Sequence, residues 1–173
     1  MAVTLDHLAV GTPVLADGWE LFGGVLGGTW AYGGDSPGFW WGQLEFAAGP
    51  KIELLPPTGG PDAAFLERFL AARGAGPHHF NFLVTDIEDA LARIAAFGIE
   101  PVGVNLANPD WKEAFLHPRS AYGIVIQVAQ QAGSLTTCPR SWKCWAWPRS
   151  STTPAITGCE PSNPGRVGQR PPT

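Results

Sequence analysis

The chain has 173 residues, of which 45% are hydrophobic, so it can form one domain with a substantial core or two small fused modules. No apolar run approaches the roughly 20 residues that a membrane helix needs, and no basic region followed by an apolar core opens the chain, so we expect an intracellular, cytoplasmic protein. Residues 1–131 carry six Lys and Arg against fourteen Asp and Glu, a net charge of about −8 that argues against nucleic acid as a partner.

Hydrophobic periodicity in the first half of the chain predicts a strand, a helix and then three more strands. The helix is expected to end at Gly27-Gly28, and the second strand is expected to stop before Gly33-Gly34. A linker rich in proline and glycine follows at 56–61. The predicted elements are a strand at 3–10, a helix at 13–26, strands at 29–32, 39–47 and 51–55, and an amphipathic helix at 62–72.

The same order of elements then restarts. The second half predicts a strand at 78–84, a helix from about 86 to 97, and strands at 100–104, 111–117 and 124–130. Thr85 and Glu88 have the spacing of a capping box, and Gly98 marks the expected end of this helix. The repeated pattern indicates a duplicated module.

Residues 132–173 differ in composition from the rest of the chain. They carry five basic residues against one acidic residue, a net charge of about +4, and all three cysteines. The segment has no usable hydrophobic period, so we predict a largely disordered tail, without a zinc site because its cysteines lack a paired short spacing. The alternative is that Trp142, Trp145 and Trp147 dock on the body of the protein or on a partner.

Two histidines occupy matching places in the two halves, His7 in the first strand and His79 in the first strand of the repeat. The last strand of each half also holds one polar residue among apolar neighbours, Glu53 or Gln127. The offsets from the histidines are forty-six and forty-eight residues. Because a buried charge needs a partner, two imidazoles, a carboxylate and an amide oxygen converging from four strands predict a divalent metal site. The alternative is that Glu53 and Gln127 lie at solvated sheet edges and the histidines are structural.

Side-chain alternation along the strand 78–84 separates its residues into two faces. The following helix is expected to cover Phe80 and Phe82, which leaves His79 and Asn81 facing the predicted site. His78 is then expected to face away from His79 and not to bind the metal.

Four stretches of the sequence resemble the vicinal oxygen chelate superfamily, to which glyoxalase I, methylmalonyl-CoA epimerase, extradiol dioxygenases and bleomycin-resistance proteins belong. They are LDHLAV at 5–10, KIELLP at 51–56, GPHHF at 76–80 and HPRSAYGIVIQ at 117–127. The last two stretches are most similar to the epimerase branch. The resemblance covers 1–131 and implies an α+β fold of two βαβββ modules, at about 1–58 and 76–131, with a linker and helix at 59–75 between them.

The resemblance also implies a cupped mixed sheet around one divalent metal, held by His7, Glu53, His79 and Gln127, and a homodimer. One departure is that the epimerases typically carry the amide ligand in the first module and the carboxylate in the second, whereas here the order is reversed. Oxygen and imidazole ligands suit Co²⁺, Ni²⁺, Mn²⁺, Fe²⁺, Mg²⁺ or Zn²⁺.

Such a metal polarises a carbonyl group, and the reaction then needs a base within reach of the neighbouring carbon. Glu53 is one candidate, by leaving the metal. The other is Glu45, which we expect among apolar residues that raise its pKa. Its alternative is a solvent-facing strand residue.

The expected substrate is a small molecule with a carbonyl group, for which an acyl-CoA is the form that the resemblance implies. Trp41 and Trp111 are candidates for the walls of its site, and His117 and Arg119 for contacts to an anionic arm. Together with Asn81 they form the predicted substrate-binding set. We therefore expect a metal-dependent isomerase or lyase. The alternatives are a metal-free binding or resistance protein and an Fe(II) extradiol-type dioxygenase.

Overall fold

A computed structural model describes residues 1–132, together with the backbone of two short antiparallel strands, Trp142–Ala146 and Thr157–Pro161. Apart from these two strands the tail lies outside the described residues, so its predicted disorder and any role of its cysteine and tryptophan side chains stay predictions.

Strands and helices follow one another within 1–132 in the order that the sequence predicts. The predicted first helix begins as a short α-helix and continues as a π-helix, Glu20–Val25. The helices are α1 (Leu15–Trp19), α2 (Ala64–Arg73) and α3 (Ile87–Ala96). The strands are β1 (Val3–Gly11), β2 (Thr29–Ser36), β3 (Phe39–Glu45), β4 (Lys51–Leu55), β5 (Gly76–Val84), β6 (Val102–Asn105), β7 (Trp111–Leu116) and β8 (Val125–Gln131).

All eight of these strands form one mixed sheet in the order β2-β3-β4-β1-β5-β8-β7-β6. Each module contributes four neighbouring strands, and in each module the first strand pairs parallel with the last. The modules meet where β1 pairs antiparallel with β5, so they join within a single chain. The predicted α+β fold with a cupped mixed sheet is confirmed.

Helices cover the outer face of the sheet, and one helix closes part of the inner face. Ile87 of α3 packs on Val84 and Val128, and α1 with the π-helix packs over Leu44 and Leu54. On the inner face, Leu66 of α2 packs against Ala9 of β1 and Leu55 of β4. Because side chains alternate along a strand, the inner face of the same strands carries the polar residues described below.

Strand β2 is longer than the sequence predicts, since it continues through Gly33 and Gly34. These glycines pair with Gly42 and Trp41 of β3. A Cβ atom on Gly33 would lie 2.5 Å from the Trp30 ring. The glycines therefore do not end the strand; they allow bulky indole rings to lie against the backbone.

Helix α3 is capped one residue later than predicted. Asp86 accepts a hydrogen bond from the backbone N–H of Asp89, whereas the Thr85 hydroxyl accepts one from the backbone of Ala2. The predicted capping box of Thr85 and Glu88 is therefore wrong, because the N-terminal strand engages the threonine.

Replacing Ile87 by alanine is expected to lower the free energy of unfolding by about 2–5 kcal/mol, because the side chain is fully buried between α3 and the sheet. Phe97, which is 82% exposed just after the same helix, is the matched control, and its replacement by alanine should change stability by about 0.5 kcal/mol or less. Urea denaturation measures both variants. Equal losses would contradict the assignment of the core to this interface.

Candidate metal centre

The two predicted ligand histidines lie on the two central strands, close to irregularities in their pairing. His7 of β1 pairs with Asn81 of β5, and Ala9 pairs with His79. The register skips Asp6 in β1 and His78 in β5, which leaves each of these residues without a cross-strand partner. Such bulges re-aim side chains, and they occur often next to active sites.

Glu53 brings a carboxylate between the two imidazoles. Its Oε2 atom lies 3.3 Å from Nε2 of His7 and 3.9 Å from Nε2 of His79. One ligand atom from each of the three residues lies within 4.8 Å of the others. Donor atoms that each lie about 2.1 Å from one ion are themselves about 3 to 4 Å apart, so this cluster fits a divalent metal with small adjustments.

Several buried polar atoms of the cluster have no hydrogen-bond partner among the described residues. They include Nε2 of His79, Oε1 of Gln43 and Oδ1 of Asn81, whereas Nε2 of His7 lies 3.3 Å from the Glu53 carboxylate. A buried polar atom without a partner costs about 1–3 kcal/mol. A cation bound by the imidazoles would give Nε2 of His79 the partner that the protein does not supply, and would take the place of the proton on Nε2 of His7.

The imidazole of His7 is oriented by a hydrogen bond at Nδ1, the ring nitrogen that does not lie beside Glu53. Nδ1 donates to Oδ2 of Asp6 at 2.8 Å, and Asp6 in turn accepts from Lys51. The amide nitrogen of Gln43 also lies 3.2 Å from Nδ1, but both atoms are donors when Nδ1 is protonated, so we assign the hydrogen bond to Asp6. This tautomer directs Nε2 toward Glu53, as a metal ligand requires.

The pKa values of the two histidines of the cluster shift in opposite directions. Burial by itself lowers the pKa of His7, but hydrogen bonds to Asp6 and Glu53 outweigh it and raise this pKa to about 9. Burial lowers the pKa of His79 to about 4. Burial also opposes the charge on Glu53, yet the neighbouring His7 makes the net shift of the Glu53 pKa downward. Without a metal, the site therefore holds a protonated His7 beside an ionised Glu53.

His78 does not face away from His79, and that prediction is wrong. The Nδ1 atoms of the two rings lie 2.9 Å apart, within hydrogen-bond distance. The skipped register of β5 at His78 breaks the alternation on which the prediction depended. Each of the two predicted ligand histidines is thus held through Nδ1 by the side chain of the residue that precedes it.

Gln43 is a buried member of the site that the sequence analysis missed. It lies directly opposite Glu53 in the pairing of β3 with β4, and its amide nitrogen donates to Oε1 of Glu53 at 2.8 Å. The signal that could have found it is the alternation of side chains in the predicted hairpin of two strands. Residues that lie opposite each other share a face, so a polar side chain beside Glu53 also lies on the inner face. Glu45, the residue chosen from this strand, is exposed at its end, so the expectation of apolar surroundings is wrong for it.

The predicted fourth ligand, Gln127, lies next to Asn81 on the same face. Its Oε1 accepts from Nδ2 of Asn81 at 2.8 Å, and its Nε2 donates to Oε2 of Glu113 at 2.7 Å. These two bonds fix which end of the amide faces the cluster. One lone pair of Oε1 remains for a metal.

The remaining predicted site residues lie at different depths. Trp41 is partly buried and packs edge-to-face on Tyr32, and Trp111 donates its indole N–H to Glu113. His117 and Arg119 are both exposed in the turn after β7, where Nδ1 of His117 accepts from the backbone of Arg119. Their predicted contacts to a substrate stay predictions.

Comparison with known protein families identifies the fold and its family. Residues 6–115 match the model of the glyoxalase/bleomycin resistance protein/dioxygenase superfamily. The chain belongs to this superfamily. The predicted membership of the superfamily is thereby confirmed. No curated protein sequence matches the chain.

Solved structures of the same superfamily fold superpose on most of the chain. A hypothetical protein from Bacillus halodurans is 26% identical, with a TM-score of 0.67 over 79% of this chain and 100% of its own. Methylmalonyl-CoA epimerase from Mycobacterium tuberculosis is 21% identical, with a TM-score of 0.67 over 75% of this chain and 89% of its own. A variant of the Streptomyces coelicolor methylmalonyl-CoA epimerase in complex with 2-nitronate-propionyl-CoA is also 21% identical, with a TM-score of 0.67 over 76% and 100% of the two chains.

The superfamily includes many enzymes, and epimerases are among the structural neighbours of this chain. At 21% identity the epimerases establish a shared fold for this member. In the described part of the chain, no helix is long and apolar enough to cross a membrane.

Proposed function

We propose that this superfamily member is a metal-dependent isomerase or lyase that removes a proton from the carbon next to a carbonyl group. The observation that carries the proposal is the convergence of His7, Glu53 and His79, in which the two imidazole Nε2 atoms lie 3.3 and 3.9 Å from the same carboxylate oxygen. Gln127 is the proposed fourth ligand. A divalent ion held there would polarise the carbonyl oxygen of a substrate and stabilise the negative charge that develops on it.

The residues around the cluster have separable tasks in this proposal. Asp6 and His78 keep the Nε2 atoms of the histidines aimed at the ion, because each engages the opposite nitrogen of its ring. Gln43 holds one oxygen of Glu53, so that the other oxygen faces the imidazoles. Trp41 and Trp111 provide apolar walls that exclude water from a bound substrate.

An acyl-CoA is the substrate class that we propose. Its support is the structural likeness to epimerases that act on methylmalonyl-CoA, one of which is complexed with a nitronate of propionyl-CoA. A cytoplasmic location and a homodimer complete the proposal, and both remain predictions.

Exchange of hydrogen in D₂O tests this function directly. Protein stripped with chelator and reloaded with one equivalent of Co²⁺, Ni²⁺ or Mn²⁺ is incubated with methylmalonyl-CoA and other thioesters, and mass spectrometry follows deuterium at the carbon next to the carbonyl. We expect exchange that requires the metal. Absence of exchange with every metal and every thioester would contradict the proposal.

A metal-free binding protein is the second candidate, and one observation favours it. A protonated His7 and an ionised Glu53 already neutralise each other, so the cluster has a stable arrangement without an ion. Elemental analysis of protein purified without chelator separates the two. About one equivalent of divalent ion supports the enzyme, and a tightly folded protein that takes up none supports the binder.

An Fe(II) dioxygenase is favoured by a different observation, namely that two histidines and one carboxylate form the compact part of the cluster. Anaerobic loading with Fe²⁺ followed by oxygen uptake with catechols tests it. Uptake without thioester exchange would replace the proposed isomerase or lyase by an oxygenase.

A further inference from the structure

Glu113 lies on the inner face of the sheet, in the module opposite to Glu53. Phe115 pairs with Gln127 across β7 and β8, so the alternating residues 111, 113 and 115 of β7 face the same side as Gln127. The Glu113 side chain is partly buried. It therefore borders the site from the second module. The sequence analysis did not include this carboxylate among the predicted site residues.

The hydrogen bonds of Glu113 are unevenly divided between its two oxygens. Nε2 of Gln127 donates to Oε2 at 2.7 Å, and Nε1 of Trp111 donates to the same Oε2 at 2.9 Å. No side chain among the described residues donates a hydrogen bond to Oε1. One oxygen is thus anchored by two donors, which fixes the carboxylate while its second oxygen can accept a proton.

The other carboxylates in contact with the cluster are already engaged through both oxygens. Asp6 binds His7 with one oxygen and Lys51 with the other. Glu53 accepts from Gln43 through Oε1 and faces both imidazoles through Oε2. A base at either position would have to break these contacts, whereas Glu113 would not.

We propose that Glu113 is the general base of the reaction, a proposal that rests on the proposed function. Its Oε1 atom takes the proton from the carbon next to the substrate carbonyl. The C–H bond breaks, an O–H bond forms on Glu113, and the electron pair of the C–H bond moves toward the carbonyl oxygen. The protonated Glu113 exchanges with solvent and returns a proton to the substrate, so no other reactant is needed.

Gln127 connects this base to the metal cluster. Its amide donates to Glu113 and directs its oxygen toward Asn81, which lies opposite His7. Glu113 is therefore one side chain away from the predicted ligand set. In this proposal the carbonyl oxygen of the substrate lies at the cluster and its neighbouring carbon lies beside Glu113.

The test replaces Glu113 by glutamine, which keeps an oxygen that can accept from Gln127 and Trp111 but cannot take up a proton. The control is Glu88→Gln, which makes the same chemical change at an exposed glutamate in the first turn of α3, on the outer face of the sheet. Hydrogen exchange of methylmalonyl-CoA in D₂O and the affinity for Co²⁺ are measured for wild type and both variants. We expect E113Q to lose at least about 100-fold in exchange rate with less than about threefold change in Co²⁺ affinity, and E88Q to match wild type in both.

The outcomes separate this inference from the proposed function. Wild-type protein that exchanges no hydrogen overturns both. Wild-type exchange that E113Q retains overturns the base assignment and leaves the proposed function standing. Parallel losses of exchange and of Co²⁺ affinity in E113Q would also overturn it, because Glu113 would then act by positioning Gln127.

Discussion

Replacing His79 by alanine is expected to lower the affinity of the protein for Co²⁺ by more than about 100-fold. Changes to residues that only orient a metal ligand typically cost 10- to 100-fold in affinity, and removal of a ligand should exceed that range. His79 presents a buried, unpaired Nε2 atom 3.9 Å from the Glu53 carboxylate, so its loss removes one donor and leaves the others in place. Isothermal titration of chelator-treated protein with Co²⁺ measures the effect.

His117→Ala is the matched control for this experiment, because it removes an imidazole that is exposed in the turn after β7. It should leave Co²⁺ affinity within about twofold of wild type. Near-ultraviolet circular dichroism establishes that both variants are folded. Equal affinities for wild type and the His79 variant would show that Co²⁺ does not bind at the cluster.

The affinity for Co²⁺ is expected to rise about tenfold per pH unit from pH 6 to about 9, and then to level off. The His7 pKa of about 9 means that this ring is protonated at neutral pH, whereas a metal needs its neutral Nε2. The His79 pKa of about 4 and the lowered pKa of Glu53 mean that both are already deprotonated over this range. Binding should therefore release about one proton at pH 7.5.

Calorimetry in buffers of different ionisation enthalpy measures that proton release. Asp6→Asn removes one cause of the raised His7 pKa, so the pH at which affinity levels off should move downward in this variant. Release of no proton, or of two, would contradict the assignment of charges within the cluster. The affinity rises with pH, and not the reverse, because the proton and the metal compete for the same nitrogen atom of His7.

Glu113 bears on the reversed order of the predicted carboxylate and amide ligands. Glu53 lies in the first module, and the carboxylate that we propose as base lies in the second, next to Gln127. The two carboxylates thus approach the site from opposite halves of the sheet.

Much of the fold could be predicted from the sequence because hydrophobic periodicity is a local signal. Apolar alternation and helical spacing predicted the repeated order of elements, and the matching places of His7 and His79 predicted that two imidazoles face one site. The family match confirms the fold, and the roles of the individual ligands remain proposals. Glycine misled the prediction of β2, since Gly33 and Gly34 serve packing of indole rings there.

Only the tertiary structure decided how the cluster is supported. The bulges at Asp6 and His78 and the contact between Gln43 and Glu53 depend on the register between strands, which no single strand's pattern encodes. The link from Glu113 to Gln127 spans two strands in the same way. The sequence by itself determined which ligand-type side chains lie at matching places in the two modules, because that depends on side-chain chemistry and local periodicity. The partners of those residues were decided by cross-strand register, because bulges and hairpin geometry set which side chains meet.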